Sequence, residues 1–159
     1  MSMVGNFMAV EQADLDALFD EPTAIGAILQ NEQDRIFDIG KAWHGIHFML
    51  TGQPFGGEGP LARVIFGEAS IGEMDVGYGP ALGSSIETVQ QIAAALDEIS
   101  PYTFRKRHTL VELAEADIYP ACWDEGSREL DTLEQGFVLL KQFYAEAAAQ
   151  KLAVITFLS

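Results

Sequence analysis

Two histidines three residues apart, His44 and His47, are the first side chains here with the chemistry of a site. At that spacing on a helix, two imidazoles can share one metal ion. Further ligands would come from elsewhere in the chain, with Glu68 the carboxylate to consider. There is no His-Glu-x-x-His motif and no cysteine pair, so no metal is assigned. In the structural alternative, His47 bonds a core carbonyl or carboxylate beside Trp43, and His44 is a surface residue. A wider candidate pocket comprises His47, Arg63, Glu68, Tyr119 and Trp123, with Asp38 and Lys41 at its edge. A carboxylate and a histidine can divide acid–base work if burial brings their pKa values towards neutrality. The same groups can equally tie loops to a helix, and that structural network is the reading adopted.

The remaining constellations are weaker. Cys122 with a histidine could form a thiol nucleophile, but Asp124 and Glu125 beside it are acidic and oppose the thiolate. No Gly-x-Ser-x-Gly elbow is present. The run Gly77-Tyr78-Gly79-Pro80-Ala81-Leu82-Gly83 fits neither phosphate-binding pattern and lacks the lysine, so it is read as a turn feeding a helix. Asp14, Asp16, Asp20 and Glu21 lack the spacing of a calcium loop and read as a solvated helix face. The basic run Arg105-Lys106-Arg107-His108 reads as a solvated helix end, with an anion site as the alternative.

These residues need elements to hold them. Met3 to Val10 reads as an opening strand, in which Gly5 marks a bulge or a close backbone approach. A helix follows near Gln12 with Leu15, Leu18 and Phe19 on one side, and Pro22 stops it. Thr23 is expected to cap a second short helix through Ile25, Ile28 and Leu29. Over Asp38–Thr51 the spacing predicts a helix capped by Asp38 and stopped by Gly52, with Ile39, Ala42, Trp43, Ile46, Met49 and Leu50 as its apolar face. Nine of the 15 glycines fall within residues 52–83, a loop-rich texture interrupted by a regular piece, helix or strand, at Leu61–Phe66. Ser84 and Glu87 form a capping-box pattern for a helix reaching Ile99. Ser100 and Thr109 are natural caps for two short helices, at Tyr102–Arg107 and Leu110–Ala116. A long helix runs from about Arg128 to Ala149 with Leu130, Leu133, Phe137, Leu140, Tyr144 and Ala147 as its stripe. The β-branched run Leu152–Leu158 reads as a central strand.

Several of these segments carry a resemblance. Met1-Ser2-Met3-Val4-Gly5-Asn6-Phe7 and, most specifically, Asp38-Ile39-Gly40-Lys41-Ala42-Trp43-His44-Gly45-Ile46-His47-Phe48-Met49-Leu50-Thr51-Gly52 resemble elements of the YfbM-like family of uncharacterised bacterial proteins. Pro60-Leu61-Ala62-Arg63 with Gly67-Glu68-Ala69-Ser70, and Ile118-Tyr119-Pro120 with Trp123, are similar to two further elements, in order and across nearly the whole chain. The resemblance implies a bacterial α+β domain. It implies no activity and carries over no catalytic residue.

The composition sets outer bounds. The chain has 159 residues and is 48 % hydrophobic, enough for one domain over residues 1–159 with a core that needs no staple. The expected fold is α+β: a small sheet that includes the N- and C-terminal strands, packed against several amphipathic helices. One cysteine and an acidic start without a secretion signal suit the cytoplasm. No run is long enough to span a membrane. Nine basic residues face 24 acidic ones, and the net charge of −15 repels nucleic acid. No cofactor is implied. The reading placed first is a non-enzymatic interaction protein whose acidic surface meets a basic protein partner, in a toxin-neutralising or regulatory role. The alternative is a small-molecule-binding protein or enzyme with its site between helix 38–51 and the glycine-rich 52–83 region. A homodimer is compatible with either.

Overall fold

A computed structural model of the chain describes residues 2–123 and 127–159. The fold is α+β, with a five-stranded antiparallel sheet in the order β2-β1-β5-β4-β3. Strand β1 is Gly5–Val10 and β5 is Ala153–Leu158; they pair along their whole length, from Gly5 opposite Leu158 to Val10 opposite Ala153. Strands β2 (Phe37–Asp38), β3 (Ala69–Ser70) and β4 (Leu82–Ser84) are short and complete the sheet on either side. The pairing of β1 with β5 is unbroken, so Gly5 marks no bulge. A Cβ there would lie 2.7 Å from Cβ of Trp43, and the close approach is what requires glycine.

Both faces of the sheet are covered. Strand residues alternate sides, so Phe7 and Val154 point to one face while Met8, Val10, Ala153, Ile155 and Phe157 point to the other. The second face is covered by α1 (Gln12–Asp20) and α2 (Ile25–Asn31) through Leu15, Leu18 and Ile25. The first face carries the larger core, built by α3 (Trp43–Thr51), α5 (Ile86–Asp97), α6 (Pro101–Lys106), α7 (Leu110–Glu115) and α8 (Ser127–Ala149). Burial on both faces is why β5 reads as a continuous apolar run. The α8 stripe faces this core: Leu133, Phe137, Leu140, Tyr144 and Ala147 are buried, and Leu130 is half-buried. Leu61–Phe66 resolves into one 3₁₀ turn and the single-turn helix α4 (Arg63–Phe66).

Three local expectations are corrected. Thr23 lies in a 3₁₀ turn and makes no cap; Ala24 stands at the N-cap of α2. Asp38 belongs to β2, and α3 starts only at Trp43. The Asp38 carboxylate instead accepts the Gly40 N–H at 2.9 Å and fixes the 3₁₀ turn that leads into α3. Ser84 is taken up by β4 opposite Val154, so the N-cap of α5 is Ser85, whose Oγ accepts the Thr88 N–H. The basic run does end α6 in solvent, with Lys106 and Arg107 exposed. Arg105 pairs with Asp131, and Arg107 donates to the carbonyls of Met49 and Leu50 at 2.8 and 3.0 Å. His108 lies 3.5 Å from Glu112 and against the Phe48 ring.

Candidate functional site

Helix α3 is the element around which the predicted site must form. Every residue from Trp43 to Leu50 is buried, so the helix has no polar side. Its close neighbour is α8. A Cβ on Gly45 would sit 2.5 Å from a Leu133 methyl, and one on Gly136 would sit 2.8 Å from Ile46. Gly52 ends the helix at φ +74°, a conformation that favours glycine.

His44 is not at the surface; it is 4 % exposed and both ring nitrogens are engaged. The Tyr119 N–H donates to Nδ1 at 2.9 Å, which makes Nδ1 the acceptor and leaves the proton on Nε2, where Pro54 O accepts it at 2.9 Å. This is a neutral tautomer fixed by its partners. Burial lowers its pKa, and the Pro54 carbonyl works against that shift. Neither nitrogen is available to a metal, so the two-histidine metal reading loses one of its ligands.

His47 bonds no core carbonyl or carboxylate. It is fully buried and neither ring nitrogen has a hydrogen-bond partner. Its ring meets Phe66 edge-on at 4.7 Å. Burial depresses its pKa to about 4; the Gly56 backbone, outside good hydrogen-bond geometry, offsets part of this, and His44 adds to it. At neutral pH such an imidazole is an uncharged, weak base.

The other predicted residues go to separate places. Glu68 Oε2 accepts the Ser85 N–H at 3.0 Å at the start of α5. Burial of its carboxyl is outweighed by that bond, by the hydroxyls of Thr88 and Ser85 and by Arg63, so its pKa falls. Both halves of the imagined acid–base pair therefore move away from neutrality. Arg63 and Glu68 are charge partners, but neither bonds His47. Tyr119 stacks on Trp43 at 5.8 Å, and its hydroxyl accepts the Met3 N–H at 2.9 Å while Trp43 Nε1 donates to Met3 O. Trp123 Nε1 donates to Ile118 O at 2.7 Å. Trp123 and Lys41 line a pocket of about 380 Å³ with Cys122 and Glu129, whose carboxylate accepts from the Cys122 thiol. Asp124 and Glu125 lie outside the described residues. The segments that carry the family resemblance thus hold one another together, with Trp43, His44, Tyr119 and Met3 as the knot.

A second pocket was not among the sequence expectations. It holds about 280 Å³ between β1, α1 and α2, with a floor of Val10, Ala17, Leu18, Ala24 and Ile28. Its rim carries Asp14, Glu21, Glu32 and Arg35. Arg35 is engaged by Glu32 at 3.6 Å and by the Ala9 carbonyl. The sequence signal was the Asp14, Ala17, Leu18, Glu21 spacing on one helix, a face half apolar and half acidic. Among the described residues no three His, Cys, Asp or Glu groups gather as a metal centre requires. No described helix is long and apolar enough to cross a membrane.

A family model described as a domain of unknown function (DUF1877) matches residues 1–157. The chain belongs to the DUF1877 family. A curated relative, Protein YfbM of Escherichia coli strain K12, is 29 % identical over 132 residues, covering 76 % of this chain and 74 % of that protein. The crystal structure of YfbM from Escherichia coli, a protein of unknown function, superposes with a TM-score of 0.78 over 98 % of this chain and 99 % of the other, at 22 % identity. This likeness shows the shared fold and assigns no activity.

Proposed function

We propose that this chain is a non-enzymatic binding protein that recognises a basic segment of a protein partner, in a regulatory or toxin-neutralising role in the cytoplasm. The pocket between β1, α1 and α2 carries the reading: its apolar floor is rimmed by Asp14 and Glu21, with Glu32 paired to Arg35 beside them. A lysine or arginine side chain matches that arrangement, with an aliphatic stem for the floor and a cation for the rim. The net charge of −15 steers such a partner from a distance. The chemistry of the α3 region supports no competing catalytic assignment, since its polar groups are spent on the fold or are weak bases.

A basic amphipathic peptide of alternating lysine and leucine, titrated into labelled protein and followed by backbone NMR, tests it. Shifts are expected on α1 and α2 and to weaken with salt. The paired reversal Asp14→Lys and Glu21→Lys is expected to cost more than about tenfold in affinity. The same reversal at Asp97 and Glu98 is expected to cost far less. Equal losses from the two faces would leave only unspecific attraction and end the proposal.

A further inference from the structure

His47 is the one histidine in this fold whose hydrogen-bonding capacity goes unused. It is fully buried, and a neutral imidazole presents one donor and one acceptor. Among the described residues neither has a partner in good hydrogen-bond geometry; the one polar neighbour is the Gly56 backbone, in the loop that follows α3. Most buried polar groups in native proteins are paired. Ser84 and Thr156 also bury an unpaired hydroxyl here, but among the described residues His47 is the one ring with both of its polar atoms unpaired.

One loop reaches this ring, through the Gly56 backbone and, by way of Phe66, through Phe55. It is the loop between α3 and α4, in which Gly52, Gly56, Gly57 and Gly59 all have left-handed φ values, from +70° to +113°. Phe55, at its tip, is 63 % exposed. Its ring nevertheless lies 4.8 Å from His44 and 5.9 Å from Phe66, and Phe66 in turn lies against His47. The loop is fastened by the Pro54 carbonyl on His44 Nε2 and by Gln53 on the Thr51 hydroxyl. Displacing Phe55 removes an exposed aromatic cap from a row of rings and breaks few bonds.

The surroundings define the ligand. The one titratable group that shifts His47 is His44, itself neutral and doubly bonded; among the described residues no carboxylate, lysine or arginine contributes. A charged ligand would find nothing to neutralise it. The geometry points to a binding site at His47 for a small uncharged molecule with a flat apolar body and one hydrogen-bonding group that donates to, or accepts from, a single ring nitrogen, admitted when the Phe55 loop swings away. The site is independent of the acidic pocket on the opposite face of the sheet.

Phenol and 2-pyrrolidinone serve as probes, with the histidine ring nitrogens followed by NMR. A saturable shift is expected at His47 and none at His108. Phe55→Ala changes a side chain that is mostly in solvent, and it is expected to tighten the response by about tenfold because the closed state no longer competes. A His47 ring that answers neither probe in either protein overturns the proposal. So does a long-lived water on its nitrogens that neither probe displaces, or a Phe55→Ala variant with unchanged affinity.

Discussion

Glu68 accepts the backbone N–H of Ser85 across 17 residues of sequence. This is the reciprocal half of a capping box, supplied from a different part of the chain. Within a single helix that bond would come from the third helical residue; here the glycine-rich segment provides it. Ile86 N–H is satisfied in the same way by Gln12 Oε1 at 2.9 Å. The start of α5 is therefore a junction at which α1, α5 and the loop after α4 meet.

Glu68→Ala is expected to cost about 1 kcal/mol of stability at neutral pH, in the range of other lost caps. The pKa of Glu68 is lowered in the fold from the ordinary value of 4.5. Its contribution is therefore complete above about 4.5 and disappears as pH falls through the folded value. Urea unfolding of both proteins should show a gap at pH 7 that closes in acid.

Gly45→Ala places a methyl 2.5 Å from Leu133 and 2.9 Å from the Trp123 ring. Forcing α3 and α8 apart is expected to cost about 1–3 kcal/mol. Gly26, in α2, has only the Met74 sulfur at 3.9 Å. Gly26→Ala should stabilise by about 0.4–1 kcal/mol. Melting temperatures of the two variants should move in opposite directions.

Acid should weaken the protein through its histidines. The folded pKa of His47 is about 4 against an ordinary 6.5, and that of His44 is also lowered. The unfolded chain takes up protons first, so stability is full above about 6.5 and falls until about pH 4, by on the order of 3 kcal/mol for His47. His47→Phe removes both orphan nitrogens, each worth about 1–3 kcal/mol in lost solvation. It should flatten the acid limb of a stability–pH curve and raise stability at pH 7. A curve of unchanged shape would contradict this.

Arg107 closes the carboxyl end of α3 by bonding the carbonyls of Met49 and Leu50. Arg107→Ala is expected to lose about 1–2 kcal/mol. Arg107→Lys should recover only part of this, because an ammonium cannot reproduce the two-pronged geometry. Hydrogen exchange at the last turn of α3 should speed up in both variants.

Periodic patterns were legible where one side of an element faces solvent. The α8 stripe and the Leu15–Leu18 side of α1 follow directly from spacing. The apolar face of α3 was also legible, but the rule that its opposite side meets water failed at His44, because α3 is enclosed on every side. Ser84 and Ser85 are equivalent to a local reading; pairing of β4 with Val154 decides which one caps. The solvated basic end of α6 was legible, but the partners of Arg105 and Arg107, Asp131 on α8 and the carbonyls of α3, were not, because they are remote in sequence. The acidic pocket had the same obstacle, since Asp14 and Glu21 acquire their floor and far wall only when α2 folds back. The resemblance named the fold, and it did so through residues whose bonds are internal to it.

The position of β5 has a consequence for how the molecule is made. It lies at the middle of the sheet and is the last strand along the chain. Until it emerges, the β2–β1 ribbon and the β4–β3 ribbon have no shared neighbour, and the two helical layers have no common wall. The decisive pairing joins residues separated by almost the full chain, a topology that folds slowly. During synthesis the facing edges of both ribbons keep unpaired N–H and C=O groups open to any other strand until Ala153–Leu158 comes between them.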